Sequence, residues 1–393
     1  MTPAARLQAA IEILDEVVAA ARSGGAAADT LIARYFKTRR YAGSKDRRAV
    51  RELAYAAIRR AGELPANGRA ALIGLAGERE GLAALFDGSP HCPAVIGQDE
   101  PAAPAGIAPA WLLAKLGETL APDELPALLA RAPLHLRVNR LKAKREAMVH
   151  AIPDAEPGRL APDALRLPEG TAVEALAVFA QGLIEVQDEG SQLIALAAGA
   201  APGMTVVDLC AGAGGKTLAL AAAMGNEGRL IACDVDRARL SRLAPRATRA
   251  GATVEVRLLD GGREREGLAD LFEGADVVLV DAPCSGSGTW RRNPEARWRL
   301  TPARLERLRA TQDQVLALGA ALVRPGGRLT YAVCSLLDEE GRQRIDAFLT
   351  ANPGWSADPE PVAAGRPHGA GRLLTPARDG TDGFFIASLV RAC

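Results

Sequence analysis

Aromatic residues make up only 4% of the chain, the charges nearly cancel to a formal +1, and no two of the six cysteines stand in a C-x-x-C pair. Each scarcity excludes something. So few aromatic rings argue against a long stacking platform for single-stranded nucleic acid. With no global field, a polyanionic partner has to be held by a local basic patch. Cys92, Cys210, Cys233, Cys284, Cys334 and Cys393 have neither zinc-ligand spacing nor a disulfide framework, so no metal is expected. Long uncharged apolar runs are absent too. The N-terminal pattern of Leu7, Ile11, Leu14 and Val18 carries Asp15 and Glu16 within it, unlike a secretory signal. A soluble, cytoplasmic, monomeric protein without membrane contact is expected.

What the chain does have is length and apolar content: 393 residues, 48% of them apolar, suffice for two or three cores. From about residue 4 to 85, apolar residues at three- and four-residue spacing predict short helices, broken at Ser23-Gly24-Gly25 and Pro65-Ala66-Asn67-Gly68. The run from Lys37 to Arg48, with Arg39, Arg40, Lys45 and Arg47, concentrates positive charge ahead of a helix expected from Ala49 to Arg60. It reads either as a solvated helix face with Ser44 as N-cap or as a phosphate-binding patch. Prolines 90, 93, 101, 104 and 109 forbid regular helix and predict a linker over about 87–109. His91-Cys92 within it has no other His or Cys nearby and reads as an ordinary loop pair.

A strand-like run from Leu134 to Arg140, a helix to about Ile152, and further strands at 164–167 and 183–186 predict a small α/β unit. Its basic residues Arg137, Arg140, Lys142, Lys144 and Arg145 either face a nucleic acid or keep a surface wet. From Gln187 onward, strands expected at 205–209, 229–233, 254–259, 276–281 and 328–333 alternate with helices, the last after the turn Arg324-Pro325-Gly326-Gly327. That is the pattern of a mostly parallel sheet covered on both faces. Ligands in such sheets lie at the carboxyl ends of the strands, where Cys210, Asp234, Asp260, Asp281 and Cys334 fall.

The stretch from Val206 to Thr217 organises this half: a buried strand, a glycine turn and a helix start near Lys216. Gly212, Gly214 and Gly215 let a ligand approach the backbone, and the helix offers unpaired N–H groups. A P-loop would need glycine where Cys210 stands, and a dinucleotide fingerprint would need one at Thr217. Lys216 with the acid of the later strand, Asp281, still leaves a magnesium-dependent nucleotidase open. Asp234 at the end of the next strand suits ribose hydroxyls, and with Asp260 the set suits a nucleoside without a triphosphate, such as S-adenosylmethionine.

Cys284 and Cys334 each sit where a strand gives way to a Ser- and Gly-rich loop, whereas Cys233 and Cys393 read as small core residues. The chemistry of a pyrimidine explains why a thiol would be wanted. C5 of cytosine is a poor nucleophile until a thiolate adds across C6 and makes it enamine-like. Asp281 could donate from a protonated form to the cytosine edge.

These residues resemble the RsmB/Fmu branch of the NOL1/NOP2/Sun family of RNA cytosine-5 methyltransferases. The matching stretches are QDEGSQ at 187–192, DLCAGAGGKT at 208–217, CDVDRARL at 233–240, DAPCSGSG at 281–288, RRNPEARW at 291–298, PGGRLTYAVCS at 325–335 and DGFFIASL at 382–389. GSKDRR at 43–48 and LRVNRLKA at 136–143 extend the likeness into the first half. The resemblance implies a NusB-like helical RNA-binding domain over 1–130, a small α/β domain over 131–186, and a Rossmann-like class I methyltransferase domain over 187–393. It implies S-adenosylmethionine as cofactor, held by Cys210, Ala211, Gly212, Ala213, Gly214, Gly215, Lys216, Asp234, Asp260 and Asp281. It further implies Cys334 as the nucleophile that adds to C6, Cys284 as the thiol that releases product, and Asp281 facing the base. RNA is the implied partner, ribosomal by analogy, with phosphate contacts from Arg39, Arg40, Lys45, Arg47 and Arg48. By position, Cys284 remains a rival nucleophile, because cytosine-5 DNA methyltransferases use a Pro-Cys cysteine. Two departures stand out: Ala-Ala-Pro-Gly-Gly is here Ala211-Gly212-Ala213-Gly214-Gly215, which loosens the cofactor loop, and the usual Thr before the nucleophile is Val333. A non-catalytic RNA-binding assembly factor is the third reading, against which the intact Cys284 and Cys334 argue.

Overall fold

In the computed structural model, which describes residues 1–393, the first helix starts where the sequence offers a cap. Thr2 Oγ1 accepts from Ala5 N–H at 3.1 Å, Pro3 sits in the first turn, and Gly24, at φ 74°, ends α1 (Pro3–Ser23). The apolar face foreseen at Leu7, Ile11, Leu14 and Val18 is buried against α2 (Ala28–Thr38), α3 (Ser44–Arg60) and α4 (Gly68–Ala76). Gly68 is what lets α4 come so near: a β-carbon there would stand 2.4 Å from the Ile11 carbonyl oxygen. Helix α3 begins five residues before the expected Ala49. Its N-cap is Gly43 and not Ser44, because Asp46 Oδ2 reaches back to accept from Gly43 N–H at 3.2 Å. Residues 87–109 hold no helix, and α5 (Ala110–Leu116) follows them.

Contacts group Met1–Arg131 with Thr289–Arg304 as one unit, and Ala132–Gly288 with Leu305–Cys393 as the other. The second unit opens with a small antiparallel sheet in the order β2-β3-β1-β4, made of β1 (Leu134–Val138), β2 (Glu156–Pro157), β3 (Ala164–Leu167) and β4 (Ile184–Val186). Helices α6 (Arg145–Ala151) and α7 (Ala177–Ala180) accompany it. Strand β1 is buried on both faces: Leu136 and Val138 enter the apolar core, and His135 and Arg137 are buried as well.

After α8 (Glu189–Ala197) come the parallel strands β5 (Thr205–Asp208), β6 (Arg229–Asp234), β7 (Glu255–Leu258), β8 (Ala275–Asp281) and β9 (Val323–Val333), in the spatial order β9-β8-β5-β6-β7. Their connections carry α9 (Gly215–Met224), α10 (Arg237–Leu240), α11 (Leu243–Ala250), α12 (Glu264–Gly267), α13 (Ala296–Arg299) and α14 (Pro302–Leu322). Val206, Val207, Val278, Leu279 and Val280 are fully covered, as central parallel strands require. Pairing of β9 jumps from Ala275↔Val323 to Val277↔Arg328, so the foreseen glycine turn at 324–327 loops out of the ladder. Beyond α15 (Arg342–Ala351), β10 (Trp355–Asp358), β11 (Arg366–His368) and β12 (Gly371–Leu374), then α16 (Pro376–Asp379) and β13 (Phe384–Arg391), complete the sheet. These four strands pair antiparallel, with β13 lying along β9.

Candidate active site

The glycine turn lies between β5 and α9, at the carboxyl edge of the parallel strands. Gly212 and Gly214 have φ of 54° and 83°, and a β-carbon on Gly214 would meet Leu243 Cδ1 at 2.1 Å. Asp234, ending β6, fastens the turn: Oδ2 accepts from Gly212 N–H and Oδ1 from Asp236 N–H, both at 2.7 Å. Two arginines hold the outer side, Arg246 donating to the Ala213 carbonyl at 2.6 Å and Arg137 to that of Gly215 at 3.1 Å. Glu185 on β4, itself buried, pairs with Arg246 at 2.9 Å and with Arg249. The small sheet is therefore part of the support of the turn. Neither reading of its basic residues holds for Arg137, which is 4% exposed and lowered to about 10 by burial. Lys142 likewise donates to backbone carbonyls of Gln181 and Arg249, at 3.1 and 2.6 Å.

Asp208, which the sequence did not single out, closes β5 with its carboxyl 1% exposed. Oδ2 accepts from Thr217 Oγ1 at 2.6 Å, while Oδ1 has no partner. Burial pushes this acid up to about 7, against the Thr217 bond, with Asp281 and Asp234 adding to the rise. Between pH about 4 and about 7, the folded chain keeps a proton here that the unfolded chain has released, so this group makes stability fall as pH rises through that window. Asp208→Asn is expected to flatten the fall in melting temperature from about pH 5 to about pH 8, read by thermal unfolding. An unchanged slope would contradict the assignment.

At the end of β8, Asp281 Oδ2 accepts from Lys216 Nζ at 2.6 Å. Burial acts to lower the Lys216 ammonium, and Asp281 more than offsets it, leaving that group above its ordinary range. Oδ2 of Asp281 thus accepts from an ammonium, so the expected donation to a base edge would fall to Oδ1. Strand pairing sets the thiols. With Asp281 opposite Ala332 in the β8–β9 ladder, Cys284 and Cys334 Sγ stand 3.4 Å apart, both partly covered. The neighbouring Cys334 and burial hold the Cys284 thiol well above its usual value. Burial, with Asp281, Asp208 and Asp234 around it, does the same for Cys210.

Cys233 is buried in the core as expected, and burial pushes it up to about 12. Cys393 is exposed and not a core residue, since it lies past the last residue of β13. Asp260 is exposed beyond β7, its carbonyl accepting from Arg263 N–H at 2.9 Å. In the helical unit, Arg39 pairs with Glu12 at 3.2 Å and lies 3.7 Å over the Tyr35 ring, and Arg47 donates to the Ala42 carbonyl at 2.9 Å. Arg40, Lys45 and Arg48 are exposed, and the last two line an open groove of about 810 Å³ with Arg6 and Arg79. No group of three or more His, Cys, Asp or Glu is arranged to hold a metal, and no helix is long and apolar enough to cross a membrane.

Residues 195–390 match the family model described as 16S rRNA methyltransferase RsmB/F. The probable ribosomal RNA small subunit methyltransferase B of Synechocystis sp. is 35% identical over 298 residues, which covers 72% of this chain and 67% of that protein. Ribosomal RNA small subunit methyltransferase B of Citrobacter koseri is 34% identical over 291 residues, covering 72% and 66%. The aligned stretch thus spans about two thirds of the length of these relatives. Among solved structures, PH0851 is 26% identical with a TM-score of 0.80 over 99% of both chains. NSun6 from Pyrococcus horikoshii, solved with SFG, is 20% identical with a TM-score of 0.65 over 72% of this chain and 98% of its own, a likeness of fold. The identity to the Synechocystis protein over that share of its length, with the match across the thiol-bearing sheet, decides the matter: the chain belongs to the RsmB/F family of 16S rRNA methyltransferases.

Proposed function

We propose that this protein is an S-adenosylmethionine-dependent RNA cytosine-5 methyltransferase acting on 16S ribosomal RNA in the cytoplasm, with Cys334 as nucleophile. The observation that carries the proposal is the 3.4 Å approach of Cys284 and Cys334 at the edge of two adjacent parallel strands, next to the Lys216–Asp281 pair. The family resemblance gives Cys334 the attack on C6 of cytosine, and the neighbouring sulfur and burial that raise the Cys284 thiol suit a group that releases product instead of attacking.

The residues at the turn fit the cofactor. Gly215 has open space where a β-carbon would meet nothing nearer than 3.9 Å, and Asp208 offers a buried, unpartnered oxygen. Gly212 to Lys216, with Asp234 and Asp208, would hold S-adenosylmethionine, which supplies an electrophilic methyl group when bound. The chain's own part is to add Cys334 to C6, so that C5 becomes nucleophilic, and then to take the C5 proton and let the C6–S bond break. The target base has to leave any stack to reach the thiols. Of the five residues implied for phosphate contact, Arg40, Lys45 and Arg48 are exposed without an ion pair and would contact phosphate.

The nucleotidase reading lacks the first glycine of a P-loop, Cys210 standing in its place, and Lys216, its candidate phosphate cation, pairs with Asp281. Calorimetry tests the choice: S-adenosylhomocysteine is expected to bind tightly and ATP with magnesium not to. Bisulfite sequencing of ribosomal RNA from cells with and without the gene then identifies the methylated cytosine, and an identical pattern in both would refute the activity.

A further inference from the structure

Five residues after Ser335, Glu340 is fully buried although it is an acidic residue. A buried carboxylate persists only where donors surround it. Here they come from three segments. Oε1 accepts from Ser285 N–H at 2.8 Å and from Gln312 Nε2 at 3.0 Å, and Oε2 accepts from Ser335 Oγ at 2.6 Å and from Ser285 Oγ. Ser285 follows Cys284, and Ser335 follows Cys334. Gln312 also donates to the Pro283 carbonyl at 2.9 Å, and Tyr331 Oη to the Glu340 carbonyl at 2.7 Å. Ser287 Oγ, 3.0 Å from Ser335 Oγ and accepting from Leu336 N–H at 2.9 Å, adds a second tie between the same loops.

Resting on the cysteine chemistry proposed above, we propose that Glu340 is a positioning residue for both thiols. Its carboxylate binds the loop that carries Cys284 to the loop that carries Cys334 and so fixes the separation of the two sulfurs. It touches neither sulfur; it acts through Ser285 and Ser335. Where the sequence has Val333 in place of a hydroxyl residue, this cluster on the other side of Cys334 supplies the hydrogen bonding that orders the loop. Besides this carboxylate, the two loops are joined by Gly288 N–H on the Cys334 carbonyl, Leu336 N–H on Ser287 Oγ, the serine hydroxyl contacts and the sulfur pair itself.

The test uses the full chain and two readouts. In Glu340→Ala, kcat is expected to fall by about 100-fold, the scale of a misplacement near 1 Å, with KM for S-adenosylmethionine unchanged. In Glu340→Gln, which keeps the shape and one acceptor, activity is expected to recover only in part, to between about threefold and about tenfold below wild type. The second readout does not need activity. Dithiodipyridine converts the two thiols to a Cys284–Cys334 disulfide, releasing a pair of thiopyridones, and peptide mass spectrometry follows that bond. Its formation is expected to slow by about tenfold or more in Glu340→Ala, because the second thiol is no longer held beside the first. Disulfide formation at the wild-type rate with unchanged kcat overturns the proposal. If Glu340→Ala does not fold, as judged by circular dichroism, a Glu340→Gln protein indistinguishable from wild type in both readouts overturns it equally. A wild-type protein without methyl transfer would refute the proposed activity, while the disulfide rate would still judge the role of Glu340.

Discussion

Cys334→Ala is expected to lower methyl transfer by more than about a thousandfold, and Cys284→Ala to accumulate RNA joined covalently to the protein. On the proposed roles, removing Sγ of residue 334 takes away the nucleophile that activates C5, and binding of S-adenosylhomocysteine should survive because the glycine turn is untouched. Removing the thiol of Cys284 leaves that attack possible but deletes the neighbouring thiol 3.4 Å away. The adduct then forms and is not resolved, and a band shifted by the mass of RNA in denaturing gels measures it. The opposite pattern, with RNA trapped by Cys334→Ala, would exchange the two roles, as the Pro-Cys position of residue 284 allows.

Arg297→Ala is expected to cost the helical unit about 3–5 kcal/mol, measured by denaturant unfolding. Its guanidinium is completely buried, and Nη2 donates to the carbonyls of Ile58, Ala61 and Arg59 at 2.6, 2.8 and 3.2 Å, with Nη1 on that of Pro294. Ile58 and Arg59 lie in the last turn of α3, where carbonyls lack helical partners and a positive charge complements the helix dipole. Burial lowers this guanidinium to about 9, with Glu295 opposing the shift, a sign of how much solvation it gives up to sit there. Truncation leaves several buried oxygens unsatisfied and a cavity beside Trp298, whose Nε1 shares the Ala61 carbonyl at 3.1 Å. Lysine should rescue little, since a single ammonium cannot span the same fork. A loss below about 1 kcal/mol would mean that solvent replaces these bonds.

That arginine shows where reading a sequence stops. RRNPEARW at 291–298 was recognisable as a family stretch, and its neighbours in sequence are strands of the large sheet, yet it groups with the helices. Glu295 accepts from Ala28 N–H at 2.9 Å, at the start of α2. Nothing in the periodicity of 291–298 reports a partner more than 200 residues away. His135, Arg137 and Glu185 failed to declare themselves for a related reason: a polar residue in a strand looks solvent-facing until a second polar surface is packed on it. Asp208 and Glu340 were passed over because most acidic side chains are exposed, and a buried one looks the same in a list of letters.

What the sequence by itself determined was local. Runs of valine, isoleucine and leucine placed the parallel strands, the glycines at 212 and 214 placed the turn, and the positions of Cys284 and Cys334 at strand ends brought both thiols to the carboxyl edge of the sheet. Those features follow from side-chain periodicity and from backbone angles that only glycine adopts readily. The tertiary structure alone decided that the two sulfurs are neighbours, that Lys216 is committed to Asp281, and that a buried carboxylate ties the thiol loops together. The sulfur contact and the carboxylate tie depend on the pairing of β8 with β9, and the Lys216–Asp281 pair on that of β5 with β8; a register between distant strands is set by the packing of the whole sheet.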